Sequence, residues 1–533
     1  MSSIVFPIHS IPPAPFDYPS RDTLFSALLA AMHQYGRYQG RVRSDQCEDQ
    51  KPGAYSYHDL VKTTLALGRL ASKVTQPGEH VGVLMPNMIV SVGLMLGLSA
   101  FARLPCMLNY TSGSEGMQSA CHLAGIRTIL TSRVFLEKAG LLDQVALLRG
   151  VTLFYLEDLR ARFDWRDKIW LMAYALRFPL RAVPKGDPEA PAVVLFTSGS
   201  EGKPKGVVLS HRALLANAAQ MLARIRIGPE DAVLNVLPIF HSFGLTAGTL
   251  IPLLSGARLV LYTNPLHYKI IPELVRAKRC TLLFGTSTFL KHYAHSATAD
   301  DFKTLKYVVA GAEKLATPVR QLWRDNFGID ILEGYGATEA APVLAVNHPS
   351  DNRAGSVGRL LAGVEAQILP VAGIEQGGEL HVRGPNIMSG YYLYDAPQTL
   401  VPPHSAAGAG WHNTGDVVSV DADGFITLQG RLKRFAKVAG EMVSLEVVEI
   451  IARAASAEAL HAATSISDAT RGELIVLFTT DSDLTREQLA AAARGLGYPE
   501  ITLPKKIRVV EALPLIGAGK VDYVRLQGQA SKC

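Results

Sequence analysis

"AVVLFTSGSEGKPKGVVLSH", Ala192 to His211, sets two β-branched apolar runs around a loop crowded with glycine, hydroxyl and lysine side chains. A Walker A loop needs G-x-x-x-x-G-K-[ST] leading from a strand into a helix. Here Gly202 and Lys203 are followed by Pro204, which disfavours helix at the preceding residue, and then by a second strand-like run. The segment therefore reads as strand–loop–strand and not as a P-loop. Gly199, Gly202 and Gly206 let backbone N–H groups turn inward, Thr197, Ser198 and Ser200 add hydroxyl donors, and Lys205 adds a positive charge. That composition suits a polyphosphate; a flexible Gly/Ser connection is the competing reading of the loop taken alone.

Working outward, from about Ala54 to Glu339 short apolar runs ("HVGVLMPN", "AVLNVLP", "ARLVLYT", "CTLLFGT", "YVVAG") alternate with helical stretches such as "RALLANAAQMLARI" and "IIPELVRAKR". The alternation predicts an α/β fold, with a large N-terminal domain of helix-covered, mostly parallel sheets. After "LEGYGATE" short strands punctuated by Gly, Asp and Pro, with a turn at Asp423–Gly424, predict a β-rich subdomain over about 345–430. From Arg431 a compact α+β pattern begins, so domains are expected at 1–430 and 431–533. No repeat and no long polar linker interrupts the chain, and any hinge must be short.

Composition narrows the classes. The 533 residues carry 53 basic and 47 acidic side chains, a net charge of +6, which gives a mixed surface with a weak preference for acidic partners and no expectation of nucleic acid. Cys47, Cys106, Cys121, Cys280 and Cys533 are scattered and odd in number, so neither a disulfide framework nor a zinc site is indicated. The proline-broken N-terminus lacks a basic n-region, and the apolar run Met88–Ala102 falls short of the roughly 20 residues a bilayer requires. The expectation is a cytoplasmic protein.

In order along the chain, "FTSGSEGKPKGVVLSH", "LPIFHSFGL", "EGYGATE", "TGDVV", "GRLKRFAKVAGEMVSLEVVE" and "PLIGAGK" resemble the motifs of the adenylate-forming superfamily, and the likeness spans nearly the whole chain. It implies that a carboxylic acid attacks the α-phosphate of ATP, giving an acyl-adenylate from which a thiol displaces AMP. By the same resemblance the loop from Thr197 through Ser198, Gly199, Ser200 and Gly202 to Lys205 steadies the β- and γ-phosphates. Glu339 helps to hold Mg2+, Thr338 lies near the α-phosphate, and Tyr335 and Gly336 border the adenine. Asp416 and Arg431 meet the ribose, and Lys520 meets the α-phosphate from a small, mobile C-terminal domain that turns at a hinge, for which Lys433 is the candidate. The intact Lys520, Glu339 and Asp416 argue against the alternative of a non-catalytic acyl- or nucleotide-binding protein.

For the acid, Phe240-His241-Ser242 stands where amino-acid-activating relatives carry an aspartate, so no counter-ion for an ammonium group is visible. The resemblance places His241 beside the carboxylate, and "FGLTAGTLIPLL" with the small wall Ala310, Gly311, Ala312 suggests an aliphatic chain. Glu201, "GPNIM" and "LFTTDSDLT" extend the likeness to the synthetase half of bacterial acyl-[acyl-carrier-protein] synthetase/2-acylglycerophosphoethanolamine acyltransferases. This implies a fatty acid and an acyl carrier protein, with CoA as the open alternative. The ligase pattern begins near the N-terminus, so no preceding acyltransferase domain is expected; His295 and Asp300 form an H-x-x-x-x-D, a spacing that arises readily by chance. Finally, Asp167–Lys185 mixes Trp170, Leu171, Tyr174, Leu176 and Phe178 with Lys168, Arg177, Arg181 and Lys185. An interfacial helix giving peripheral membrane contact through 168–185 competes there with core packing and a carrier-protein contact.

Overall fold

The two β-branched runs around the glycine-rich loop form an antiparallel pair, Pro191–Thr197 with Lys205–Ser210, in which Thr197 faces Lys205 and Phe196 faces Gly206. The structure, a computed structural model, describes residues 9–197, 204–438, 441–468, 472–516 and 520–531, without the side chains of His9, Tyr38, Arg41, Ile516, Lys520 and Val524. Pro191–Thr197 also runs parallel to Leu104–Met107, within an eight-stranded sheet whose other parallel members are His80–Leu84, Thr128–Thr131 and Thr152–Tyr155. On its other side Lys205–Ser210 pairs with Gly390–Leu393, a strand 185 residues away in sequence, with Val207 opposite Tyr391.

A second, nine-stranded sheet carries the parallel strands Arg258–Leu261, Ala232–Asn235, Leu282–Gly285, Tyr307–Ala310 and Leu332–Gly336, and these apolar runs are almost wholly buried. Burial on both faces explains why they read as continuous apolar stretches instead of alternating ones. Helices Ile89–Ala100 and His211–Arg224 cover the sheets; Ser210 caps the second by accepting from the Ala213 N–H at 3.1 Å. The β-rich subdomain is a five-stranded antiparallel sheet including Glu365–Leu369, Gly378–Arg383, His412–Val420 and Ile426–Arg431. Beyond it, Phe435–Val438, Glu441–Ser444, His461–Asp468, Gly472–Thr479 and Lys506–Val509 make a small sheet packed on helices Leu445–Ala455 and Arg486–Gly495, with a separate core. The α/β class and its three kinds of sheet therefore stand as the sequence implied.

Buried polar groups hold the covering helix in place. The Leu24 N–H donates to His211 Nδ1 at 3.1 Å, and burial lowers the imidazole pKa from 6.5 to about 4, so His211 is neutral in the folded protein. A depressed pKa means the folded chain binds fewer protons than the unfolded one. The stability this site contributes is complete above pH 6.5 and is lost as the pH falls through about 4, by about 3 kcal/mol. His211→Asn keeps an acceptor for Leu24 but cannot titrate. Urea unfolding across this window is expected to show a shallower acid loss in the variant; identical slopes would contradict a buried neutral His211.

Candidate active site

The strands Pro191–Thr197, Leu282–Gly285, Tyr307–Ala310 and Leu332–Gly336 all end at one cleft of ≈ 4480 Å³. The carboxyl ends of parallel strands are where open α/β sheets place ligands. A cleft this size exceeds the roughly 300–1,000 Å³ of a single-ligand pocket and has room for more than one substrate.

One wall grows from Leu332–Gly336 and the turn behind it. Antiparallel pairing sets Gly336 opposite Val343, and a Cβ on Gly336 would lie 2.0 Å from the Pro342 carbonyl oxygen. Only glycine fits there. The one-turn helix Thr338–Ala340 follows, held from below by two buried amides. Asn217 Nδ2 donates to the Val343 carbonyl at 2.7 Å while its Oδ1 accepts from the Val343 N–H at 3.0 Å, and Asn386 Nδ2 donates to Ala340 O at 2.9 Å. The turn that carries Thr338 and Glu339 is thus fixed by the core.

The Tyr335 hydroxyl donates to Asp416 Oδ2 at 2.6 Å, and Arg431 Nε lies 3.1 Å from Asp416 Oδ1. Asp416 and Arg431 face each other on adjacent strands of the five-stranded sheet. Burial pushes the Asp416 carboxyl up, against the pull of Arg431 and the Tyr335 hydrogen bond, and burial beside Asp416 pushes the Tyr335 phenol well up. Arg431 itself is largely exposed to the cleft.

A second cluster joins the glycine-rich hairpin to Glu339. Lys205 Nζ lies 5.0 Å from the Tyr391 ring centroid, and the Tyr391 hydroxyl donates to Glu339 Oε1 at 2.7 Å. Buried His412, its pKa lowered by burial, interacts electrostatically with both Glu339 and Lys205. Glu339 Oε2 keeps no protein partner among the described residues, which leaves one carboxylate oxygen for a cation. Among those residues no three His, Cys, Asp or Glu side chains converge to hold a metal. One protein carboxylate, with phosphates and water as the other ligands, is a coordination pattern that Mg2+ accepts.

The third element is the loop after Ala232–Asn235. Asn87 spans it, donating to Leu237 O at 2.7 Å and accepting from the Ile239 N–H at 2.9 Å, and Asn235 Oδ1 accepts from the Leu237 N–H at 3.0 Å. The loop leads into a π-helix, Phe243–Leu250, and brings Ser242 Oγ to 3.3 Å from Thr338 Oγ1. His241 beside it faces the cleft, its ring 4.7 Å from that of Phe240. Beyond lies an apolar recess of Phe243, Ala247, Phe284, Val309, Ala310 and Gly311, where Phe243 packs edge-on to Phe284 at 5.6 Å. A Cβ on Gly311 would meet the Phe243 ring at 3.0 Å, and Ala312 holds a left-handed φ of 65°.

Thr197, Lys205, His241, Ala310, Gly311, Ala312, Tyr335, Gly336, Thr338, Glu339, Asp416, Arg431 and Lys433 all line this one cleft. Ser198, Gly199, Ser200 and Gly202 lie outside the described residues, as does the side chain of Lys520, whose backbone pairs with Ile516 in a short hairpin. Lys433 sits exposed on the one-turn helix Leu432–Arg434 between the five-stranded and C-terminal sheets. Its neighbour Arg434 donates to Glu449 Oε1 at 2.7 Å and stacks 3.7 Å over Tyr523, which also donates to Glu449 at 3.0 Å. Sequence reasoning gave no role to Ser242, Tyr391, His412 or this Arg434–Glu449–Tyr523 group, although Ser242, Arg434 and Glu449 lie inside quoted motifs and Tyr391 and His412 lie close to "GPNIM" and "TGDVV".

A buried carboxylate pairing with tyrosine and arginine, the two ends of the glycine-rich hairpin and an apolar recess thus meet on one cleft. The chain belongs to the AMP-binding enzyme family, whose model matches residues 37–392. It is 28% identical over 497 residues to a long-chain-fatty-acid–CoA ligase of Salmonella typhimurium, covering 85% of this chain and 86% of that one. It is 30% identical over 499 residues to a sulfoacetate–CoA ligase of Cupriavidus necator, covering 90% and 93%. The fold matches ATP-bound MatB from Rhodopseudomonas palustris with a TM-score of 0.78 at 22% identity, over 96% of this chain and 99% of that one. The chain is an AMP-forming acid–thiol ligase.

Gly336→Ala is expected to destabilise the protein by ~3 kcal/mol, because the new Cβ overlaps backbone that cannot yield. Gly334→Ala, with its nearest heavy atom at 3.5 Å, is expected to cost less than about 1 kcal/mol. Denaturant titration of both variants checks the contrast, and equal losses would contradict the packing described.

Proposed function

We propose that this enzyme activates a fatty acid with ATP, forming acyl-adenylate and pyrophosphate, and passes the acyl group to the phosphopantetheine thiol of an acyl carrier protein. The observation that carries the acid class is the recess behind Ser242 and Thr338, apolar in Phe243, Ala247, Phe284 and Val309 and floored by Gly311. In this reading the acid carboxylate lies near His241, with its chain in the recess. Asp416 and Arg431 hold the ribose, Tyr335 and Gly336 border the adenine, and Thr338 donates to the α-phosphate. The loop from Thr197 to Lys205, with Ser198, Gly199, Ser200 and Gly202, binds the outer phosphates. Glu339 holds Mg2+, which when bound offsets charge on the phosphates.

Attack by the carboxylate oxygen on the α-phosphorus expels pyrophosphate, and charge accumulates on the α-phosphate oxygens. Lys520 supplies the fixed cation there. A turn at Lys433 then withdraws Lys520 and admits the thiol, whose sulfur attacks the acyl carbon and releases AMP. The tie of Arg434 and Tyr523 to Glu449 supports such a motion, because it makes the residues after the hinge and those after Lys520 parts of one unit. CoA as acceptor is the second reading, favoured by the names of the relatives. The carrier protein is favoured by the "GRLKRFAKVAGEMVSLE" likeness and by a net charge of +6, which steers an acidic partner.

Lys520→Ala is expected to lower fatty-acid-dependent pyrophosphate release by on the order of a hundredfold while still converting preformed acyl-adenylate to thioester. Near-normal release would remove Lys520 from the adenylation step. The acceptor is tested by kcat/KM for holo carrier protein and for CoA at low and high salt. Turnover of the carrier protein should lead at low salt and fall steeply as salt rises; a preference for CoA under every condition would establish the second reading.

A further inference from the structure

Among the described residues, six large apolar side chains, Trp165, Ile169, Met172, Tyr174, Phe178 and Leu180, stand exposed within 16 consecutive positions, with Trp165 at 65%, Met172 at 59% and Leu180 at 59%. Elsewhere among the described residues no stretch of that length exposes more than three. The segment is helix from Trp165 through a π-turn, Trp170–Ala175, followed by a short 3-10 turn, Pro179–Arg181. Its opposite face is pinned to the body. Buried Asp167 pairs with Arg69 at 3.1 Å and with Lys73, Leu171 and Ala175 are buried, and Trp170 packs 6.2 Å from Phe101 beneath the Arg69 guanidinium. The sequence pattern listed Trp170, Leu171 and Leu176 among the apolar residues of this segment without choosing between a lipid face and core packing. Those anchoring partners turn them inward and leave Ile169, Met172 and Leu180 outside with Tyr174 and Phe178.

The exposed face is also basic. Arg166, Lys168, Arg177, Arg181 and Lys185 are exposed, and none has a carboxylate partner among the described residues. The segment's own acids are spent, Asp167 on Arg69 and Lys73, and Asp164 on capping the N–H groups of Arg166 and Asp167. Arg166 lies 5.4 Å over Trp165, and Arg177 and Arg181 lie 5.8 and 5.3 Å over Phe178. An arginine laid on an aromatic ring lets the ring enter an apolar phase while the charge stays at its edge. Phe163 and Leu171, on the inner side, line the catalytic cleft.

We propose that Trp165–Lys185 docks this enzyme on an anionic phospholipid bilayer, its apolar side chains entering the headgroup–acyl boundary and its five cations meeting lipid phosphates. The catalytic cleft then opens near the lipid surface. No helix among the described residues is long and apolar enough to cross a membrane, so the contact is with one leaflet. An acidic protein would answer the cations but leave six bulky apolar groups without a comparable phase to enter.

Co-sedimentation of the full chain with vesicles tests this. Phosphatidylglycerol/phosphatidylethanolamine vesicles should bind at least ~10-fold more tightly than phosphatidylcholine vesicles, and binding should weaken with salt. Trp165→Ser/Ile169→Ser/Met172→Ser should lose ~10-fold or more of that affinity while keeping ATP–pyrophosphate exchange in vesicle-free buffer. Lys168→Gln/Arg177→Gln/Arg181→Gln, which touches only exposed side chains, should abolish the preference for the anionic lipid and keeps the test decisive if the apolar variant folds poorly. Equal vesicle binding by wild type and the charge variant would overturn the proposal. So would no vesicle binding, or loss by these variants of binding to a purified acidic carrier protein with vesicle binding unchanged.

Discussion

A carboxylate taken out of water needs its lone pairs filled, and Asp416 fills one oxygen from Tyr335 and the other from Arg431. These three residues come from two different sheets. Tyr335 lies near the end of a strand of the mixed nine-stranded sheet, whereas Asp416 and Arg431 face each other in the antiparallel five-stranded sheet. The pairing therefore fixes how the β-rich layer meets the α/β body, and it does so at the cleft. Arg431 is also the last residue of its strand, so the point from which the chain departs toward the C-terminal sheet is anchored by the same carboxylate.

The Glu339 cluster repeats this economy of long-range ties. Tyr391 reaches Glu339 only because Gly390–Leu393 pairs with Lys205–Ser210, and the same pairing sets the Tyr391 ring under Lys205. The lysine after the glycine-rich loop and the carboxylate of the 338–340 turn are thus spaced by one tyrosine. Burial lowers the pKa of His412, which interacts electrostatically with both. Small changes in either sheet's register would separate the two halves of this cluster.

The parallel strands and covering helices were legible from apolar periodicity, since each is a local pattern whose burial is nearly complete. The cleft residues inside motifs were legible through likeness, Tyr335, Glu339 and Asp416 among them, and the cleft collects them as one set. What escaped was set by distant partners. "GYYLYD" carries no local sign that Tyr391 serves Glu339, and Asn87 looks like an ordinary helix-flanking amide and Asn217 like an ordinary mid-helix one until their carbonyl partners are in place. The same reason explains the outward turn of Ile169 and Met172, because the inner face of that helix is chosen by Arg69, Lys73 and Phe101 about 70–100 residues earlier.

The central claim is that a carboxylate oxygen of the acid attacks the α-phosphorus of ATP on this cleft. It is tested most directly with a long-chain fatty acid labelled with ¹⁸O in its carboxyl group, incubated with the enzyme, ATP, Mg2+ and a thiol acceptor. Attack at the α-phosphorus followed by displacement at the acyl carbon leaves one ¹⁸O in the phosphate of AMP. Label recovered in inorganic phosphate, with ADP as the nucleotide product, would place the attack at the γ-phosphorus and contradict the account.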